Sequence, residues 1–338
     1  MGLGFGLLSA QLRPGESDWS RAYDETLRIA DAAEQLGFDS VWTTEHHFVD
    51  DGYMPSLLVT SAAIAARTTS IEIGTGVVLA PLHHPLRLAE DAATVDLISG
   101  GRLTLGLGLG WSEAEFAAFG ADMRRRGRAM EEILTILPQA WSGDVFEHTG
   151  TEYQLPELAV RPAPSRPIPI LIGGGAEPAI RRAARLADGI FSNAPAAKFL
   201  EQVTWARQEL ERRQRDPDDF RWTHYSIIYP CDDPEAGWEE LRDHLWHLTW
   251  KYRDMVPSAN RPGPPPAAPP LATDQAGKLR ERAVIIGPPD QIVEELLEVR
   301  AQSGVDTEFV ARSYFATMEY DRQVELMQRL ASEIAPHL

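Results

Sequence analysis

The chain has 338 residues, 43% hydrophobic and 24% charged, which is an ordinary globular composition. Its 32 basic and 50 acidic residues leave a net charge of −18. That balance argues against nucleic-acid and anionic-membrane partners, so any anionic ligand must be held by local features. A single cysteine, Cys231, excludes an internal disulfide and a cysteine-based metal cage, and fits a reducing cytoplasm.

Leu3 to Leu8 is apolar, with glycine at positions 2, 4 and 6. It lacks a basic leader region and reads as a first strand, not a signal peptide. No apolar run approaches the ~20 residues of a membrane span. Asp18 is placed to cap a helix running to about Leu36, with Ile29, Ala32, Ala33 and Leu36 at helical spacing and Gly37 as its stop. Phe38 to Trp42 is a short buried strand. Thr43, Thr44, Glu45, His46 and His47 follow at once. In parallel α/β folds chemistry collects where strands end, so Glu45 and His46 are candidate acid–base residues. Spacing alone leaves a second reading open, in which they are surface loop residues or satisfied core groups. A metal site is disfavoured, because neighbours on an extended strand point to opposite faces.

A helix over about 56–68 precedes a strand from Ile71 to Leu79 and a helix over about 86–98. Leu103 to Gly110 is the fourth strand. Gly106, Gly108 and Gly110 bare one of its faces, either for a flat ligand or for tight packing. One long helix is expected from Ser112 to Trp141. An excursion on the rim then occupies about 143–168, with a hairpin-like piece. Ile168 to Ile172 is the fifth strand, and Gly173-Gly174-Gly175-Ala176 opens the next helix. Backbone N–H groups at such a place can hold a phosphate without side-chain charge. Strands over 189–193 and 222–229 flank a charged helix from Ala196 to Arg215. The stretch 231–283 holds an aromatic helix to about Met255 and a Pro-rich segment over about 257–272, read as a mobile lid. Val284–Pro289 leads into a helix over 290–301. Glu308 to Arg312 is the eighth strand, and a last helix covers 321–334.

Eight strands alternating with helices argue for one (β/α)8 TIM barrel over residues 1–338, with rim insertions near 143–168 and 231–283. An open doubly wound sheet is the alternative. In the barrel, Glu45, His46, His47, His83, His84, Asn193, Arg312 and the Gly173–Gly175 loop share one rim.

Several stretches carry a specific resemblance: Thr44-Glu45-His46-His47-Phe48; Gly74-Thr75-Gly76-Val77 with His84-Pro85; Ser99-Gly100-Gly101-Arg102; Gly106 to Trp111 with Glu115-Phe116; and Ile172-Gly173-Gly174-Gly175. From Gly4 to about Ile334 the chain resembles the bacterial luciferase-like flavin-dependent oxidoreductases. The resemblance implies a barrel that binds reduced FMN at its C-terminal rim, with His46 as the catalytic histidine and Glu45 beside it. It implies a non-proline cis bond at Gly76–Val77 beneath the flavin ring. The phosphate falls to Gly174, Gly175 and Ala176, next to Gly173. Luciferase proper has a reactive cysteine where this chain has Gly108, and an arginine where it has Leu109, so light emission is not expected. Arg312 is then a candidate cation for the flavin phosphate. The implied activity is a monooxygenase using reduced FMN from a separate reductase and O2, through a C4a-peroxyflavin, on a small organic substrate. Hydride transfer with coenzyme F420 is the alternative; a non-catalytic flavin-binding barrel or partner subunit is the alternative of another class. Relatives are commonly dimers, which implies a homodimer here.

Overall fold

The computed structural model describes residues 2–338. β1 (Leu3–Leu8) is buried along its whole length, as its unbroken apolar sequence requires of a strand covered on both faces. α1 (Trp19–Gln35) starts at Asp18, whose carboxylate accepts from the Arg21 N–H. It stops before Gly37, where φ is +83°. β2 (Ser40–Thr43), α2 (Leu57–Arg67), β3 (Glu72–Thr75), β4 (Val78–Leu79), α3 (Pro85–Ser99) and β5 (Leu103–Gly108) follow. Next come α4 (Glu113–Ala118), α5 (Arg126–Trp141), an antiparallel hairpin of β6 (Phe146–Thr149) and β7 (Gln154–Leu158), then β8 (Ile170–Gly173), α6 (Glu177–Leu186), β9 (Gly189–Ser192) and α7 (Ala196–Arg212). The chain ends with β10 (Arg221–Pro230), α8 (Pro234–Ser258), α9 (Thr273–Ala283), β11 (Val284–Gly287), α10 (Pro289–Ser303), β12 (Thr307–Ala311) and α11 (Tyr320–Arg329).

The strands pair in the order β10-β12-β1-β2-β3-β5-β8-β9, and β9 pairs back to β10. Every ladder in this ring is parallel. The result is a closed eight-stranded (β/α)8 barrel, not an open sheet. One mouth is stopped by Arg221. Its guanidinium lies 2.9 Å from Glu72 and 2.7 Å from Glu308, and donates to Thr104 at 2.8 Å. The loops after the strands gather at the other mouth. No helix among the described residues is long and apolar enough to cross a membrane.

Three local expectations change. The strand expected over 71–79 breaks into β3 and β4 around the Gly76–Val77 peptide, which is cis. The helix expected over 112–141 is two helices, since Phe119 ends α4 and Gly120 turns at φ +68°. The insertion after β10 contains the additional helix α9, and β11 extends the sheet by pairing with β10 outside the ring.

Candidate active site

β2 delivers its last residues to the open mouth, and the two carboxylates there divide the neighbouring histidines between them. Glu115, on α4, takes His46: its Oε1 lies 3.1 Å from His46 Nδ1 and accepts the His47 backbone N–H at 2.9 Å. Glu45 faces the other way. Its Oε2 accepts the Leu79 N–H at 2.7 Å, and its Oε1 meets His47 Nε2 at 2.9 Å and His83 Nε2 at 3.2 Å. The carboxylate on His46 is therefore Glu115, 69 residues along the chain, and not the adjacent Glu45. His46, Glu45 and Glu115 are all buried, at 5%, 2% and 3% exposure, so these bonds replace water outright. Rings of Tyr53, Tyr252 and Trp111 stand edge-on to His46 at 4.9, 5.5 and 5.9 Å.

Burial pushes the Glu45 carboxyl upward, but its hydrogen bonds and charge contacts with His47 and His83 outweigh that and hold it at about 2. The same contact raises His83 against its own burial. A carboxyl held below its unfolded value stabilises the fold above that unfolded value, and the contribution is lost as pH falls through the folded one. Glu45 thus contributes on the order of 3 kcal/mol at neutral pH that disappears between about pH 5 and pH 2. Glu45→Gln should be less stable near neutrality and lose less over that acid window. Urea denaturation at a series of pH values reads this directly, and equal slopes for both proteins would refute it.

His46 opens on a cavity of about 560 Å³. Gly76, Val77, Gly108, Gly173, Gly174, Gly175, Ala176, Asn193 and Arg312 line it as well, so the expected site residues converge here. A side chain at Gly106 would strike the Thr75 carbonyl oxygen at 1.9 Å, and one at Gly108 would strike Val77 at 2.3 Å. Packing around the Gly76–Val77 peptide therefore accounts for both glycines, although Gly108 also lines the cavity. A Cβ at Gly173 would strike Val77 at 2.7 Å in the same way, but Gly174 and Gly175 differ. At Gly174 φ is +134°, and a Cβ at Gly174 or Gly175 would meet nothing closer than 3.3 Å. Ala176 at the N-cap of α6 offers no side-chain hydrogen bond; Pro178 has no N–H and Ala179 donates to the Ala176 carbonyl at 2.9 Å, so the N–H groups left for a ligand are those of the glycine loop, Ala176 and Glu177. This bare cradle fits the phosphate end of a flavin-type cofactor, and the aromatic rings of Phe191, Trp111 and Tyr225 around the cavity suit a flat ring.

The far wall carries Arg312, whose Nη2 donates to the Tyr252 hydroxyl at 3.0 Å; that hydroxyl lies 3.3 Å from Tyr53 Oη. Below this wall is a buried charge network. Lys251 Nζ pairs with Asp50 and lies 3.5 Å from both Asp51 and Asp254; Arg261 reaches Asp50 at 2.6 Å and Asp254 at 2.8 Å. It ties the loop after His46 to α8 and to the start of the Pro-rich segment. The first residues of that segment, Pro257 and Ser258, complete α8 against the expectation, and the rest of the segment is irregular. It is also pinned, since Pro265 accepts from Gly15 and Pro269 from the Trp246 indole.

Sequence reasoning named Glu115 only as part of a motif and missed its place on His46. It sits three residues after Ser112, whose Oγ accepts the Glu115 N–H, so it reads as an ordinary capping pair. Tyr252 was visible only as one residue of the aromatic helix, and Tyr53 and Lys251 carried no local signal.

Over 144 residues the chain is 34% identical to the oxygenase component of a flavin-dependent trigonelline monooxygenase of Acinetobacter baylyi; the match covers 42% of this chain and 40% of that one. It thus spans well under half of that relative. Over 288 residues it is 26% identical to an F420-dependent glucose-6-phosphate dehydrogenase of Amycolatopsis mediterranei, covering 80% and 84% of the two chains. Its fold matches the monooxygenase RslO1 from Streptomyces bottropensis with a TM-score of 0.83 at 23% identity, over 100% and 99% of the two chains. With residues 4–307 matching the family model described as luciferase-like monooxygenase, the chain belongs to that family.

Proposed function

We propose that the protein is the oxygenase component of a two-component flavin monooxygenase. It accepts reduced FMN from a separate reductase and uses O2 to oxidise a small organic substrate. One oxygen atom goes to the substrate, the other leaves as water, and the flavin departs oxidised; reduced FMN with O2 supplies the oxygenating equivalent. The observation that carries this reading is a single cavity joining the uncapped glycine cradle to the buried His46–Glu115 pair. The cradle holds the phosphate through backbone N–H groups. With Nδ1 against Glu115, Nε2 of His46 is the atom that takes or returns a proton at the cavity. Glu45 supports this arrangement from behind, by fixing His47, His83 and the Leu79 backbone. Burial of the pair and the aromatic wall exclude water from the reacting centre. In this reading the Pro-rich segment is a lid, and the protein works as a cytoplasmic homodimer.

The match to an F420-dependent relative over most of the chain supports a second reading, hydride transfer with coenzyme F420, in which His46 protonates the reduced substrate. Anaerobic titration with reduced FMN, oxidised FMN and F420, followed by admission of oxygen, separates the two. Preferential binding of reduced FMN and a new transient absorbance on oxygenation is the expected result. Exclusive binding of F420, with no oxygen-dependent change, would replace the first reading by the second.

A further inference from the structure

We propose that Arg312 is the anchor of an anionic organic substrate, a carboxylate, held beside His46. The proposal deepens the flavin reading, on which it rests.

Other recessed cations in this protein are matched either by acids or, like Arg102, by backbone carbonyls, here those of Ala65, Thr68, Ile71 and Ser99. Arg221 has Glu72 and Glu308, Lys251 has Asp50, and Arg13 has Glu25. Arg312 is the exception among these. Only its Nη2 has a protein partner among the described residues, and that partner is the neutral hydroxyl of Tyr252. Burial works against its charge, and the titratable groups that face it are three tyrosines, Tyr252, Tyr225 and Tyr53. Arg312 is half-buried, and a guanidinium partly withdrawn from water without a paired counter-charge gains when an anion reaches it. Its planar fork presents two parallel N–H donors, which match a carboxylate.

Position decides which anion. The glycine cradle leaves β8, whereas Arg312 follows β12. β9 and β10 stand between those strands on that side of the ring. A phosphate at the α6 N-terminus therefore places the cofactor's anionic end on another flank of the mouth. Arg312 belongs to the His46 flank, since Tyr252 both receives its hydrogen bond and stands edge-on to His46 at 5.5 Å. Tyr53, 3.3 Å from the Tyr252 hydroxyl, adds a second phenol to the anion's surroundings. Arg312 also lines an adjoining cavity of about 230 Å³ with Asn193, His224 and Tyr225, whose one carboxylate, Glu295, forms no ion pair with it.

The test uses the FMN-loaded protein, titrated calorimetrically with benzoate and with its neutral isostere benzamide. Benzoate should bind about tenfold or more tighter than benzamide. Arg312→Met should lower benzoate affinity about tenfold while FMN affinity stays within about twofold, and Arg312→Lys should fall between. Retained FMN binding shows that each variant is folded. No benzoate binding to the wild type, or equal binding of the two probes, overturns the proposal. So does a loss of FMN affinity, or of inorganic phosphate binding by the flavin-free protein, in Arg312→Met with benzoate unaffected; Arg312 would then serve the cofactor. Should the protein take up only F420, the flavin reading fails, and the same pair of probes on the F420-loaded protein still decides the role of Arg312.

Discussion

Replacing His46 with asparagine is expected to reduce turnover by about 10²–10⁴-fold, the usual contribution of a positioned acid–base group. FMN affinity should be nearly unchanged, because the proposed phosphate cradle is backbone on another strand. Glu115→Gln should show a smaller loss. It keeps an acceptor for His46 Nδ1 and for the His47 N–H but removes the charge that supports a protonated imidazole. The pH profile of kcat separates the roles: a positioning carboxylate shifts the profile, whereas general damage lowers it uniformly. Turnover by His46→Asn equal to the wild type would remove His46 from the chemistry. Absence of turnover in the wild type with every substrate offered would leave a flavin-binding barrel without catalysis.

Lys251→Met should destabilise the protein by about 3–5 kcal/mol, the range for breaking a buried ion pair from one side. Lys251 and Asp50 side chains are 2% and 1% exposed, with Asp51 and Asp254 nearby, so the variant leaves several carboxylates facing a single remaining cation, Arg261. Urea unfolding followed by circular dichroism gives the change. Limited proteolysis gives its location, since the network fastens the Pro-rich segment through Arg261 and the variant should be cut there first. A loss below about 1 kcal/mol would mean that water or relaxation compensates the acids.

The barrel was legible because its strands are apolar runs at regular intervals, each followed by polar or glycine-rich residues. The eight strands that close the ring are the eight read from that rhythm. Boundaries failed where backbone geometry overrides pattern. Val77 and Val78 continue an apolar strand in sequence, but β3 ends at Thr75 and pairing resumes only at Val78. Gly120 divides what helical spacing alone joins. At the site, His46 was visible by its residue type at a strand end, yet its partner was not. Glu115 lies 69 residues away, and the adjacent Glu45 offered itself first. Lys251 pairs with a residue 201 positions distant, and a lysine in a helix ordinarily signals a solvated face. Long-range pairing of this kind has no local signature.

The triplet Glu45-His46-His47 works as a fork: one tine enters the cavity, the next enters the wall, and each carboxylate holds a different tine. Side-chain direction there is set by residue count from the end of β2. Deleting Thr44 would carry His47 into the cavity position of His46, whereas inserting one residue after Thr43 would carry Glu45 into it. The segment between β2 and His46 is therefore an indexing element. Substitutions in it can be repaired by neighbours, whereas a change in its length re-addresses every polar group beyond it.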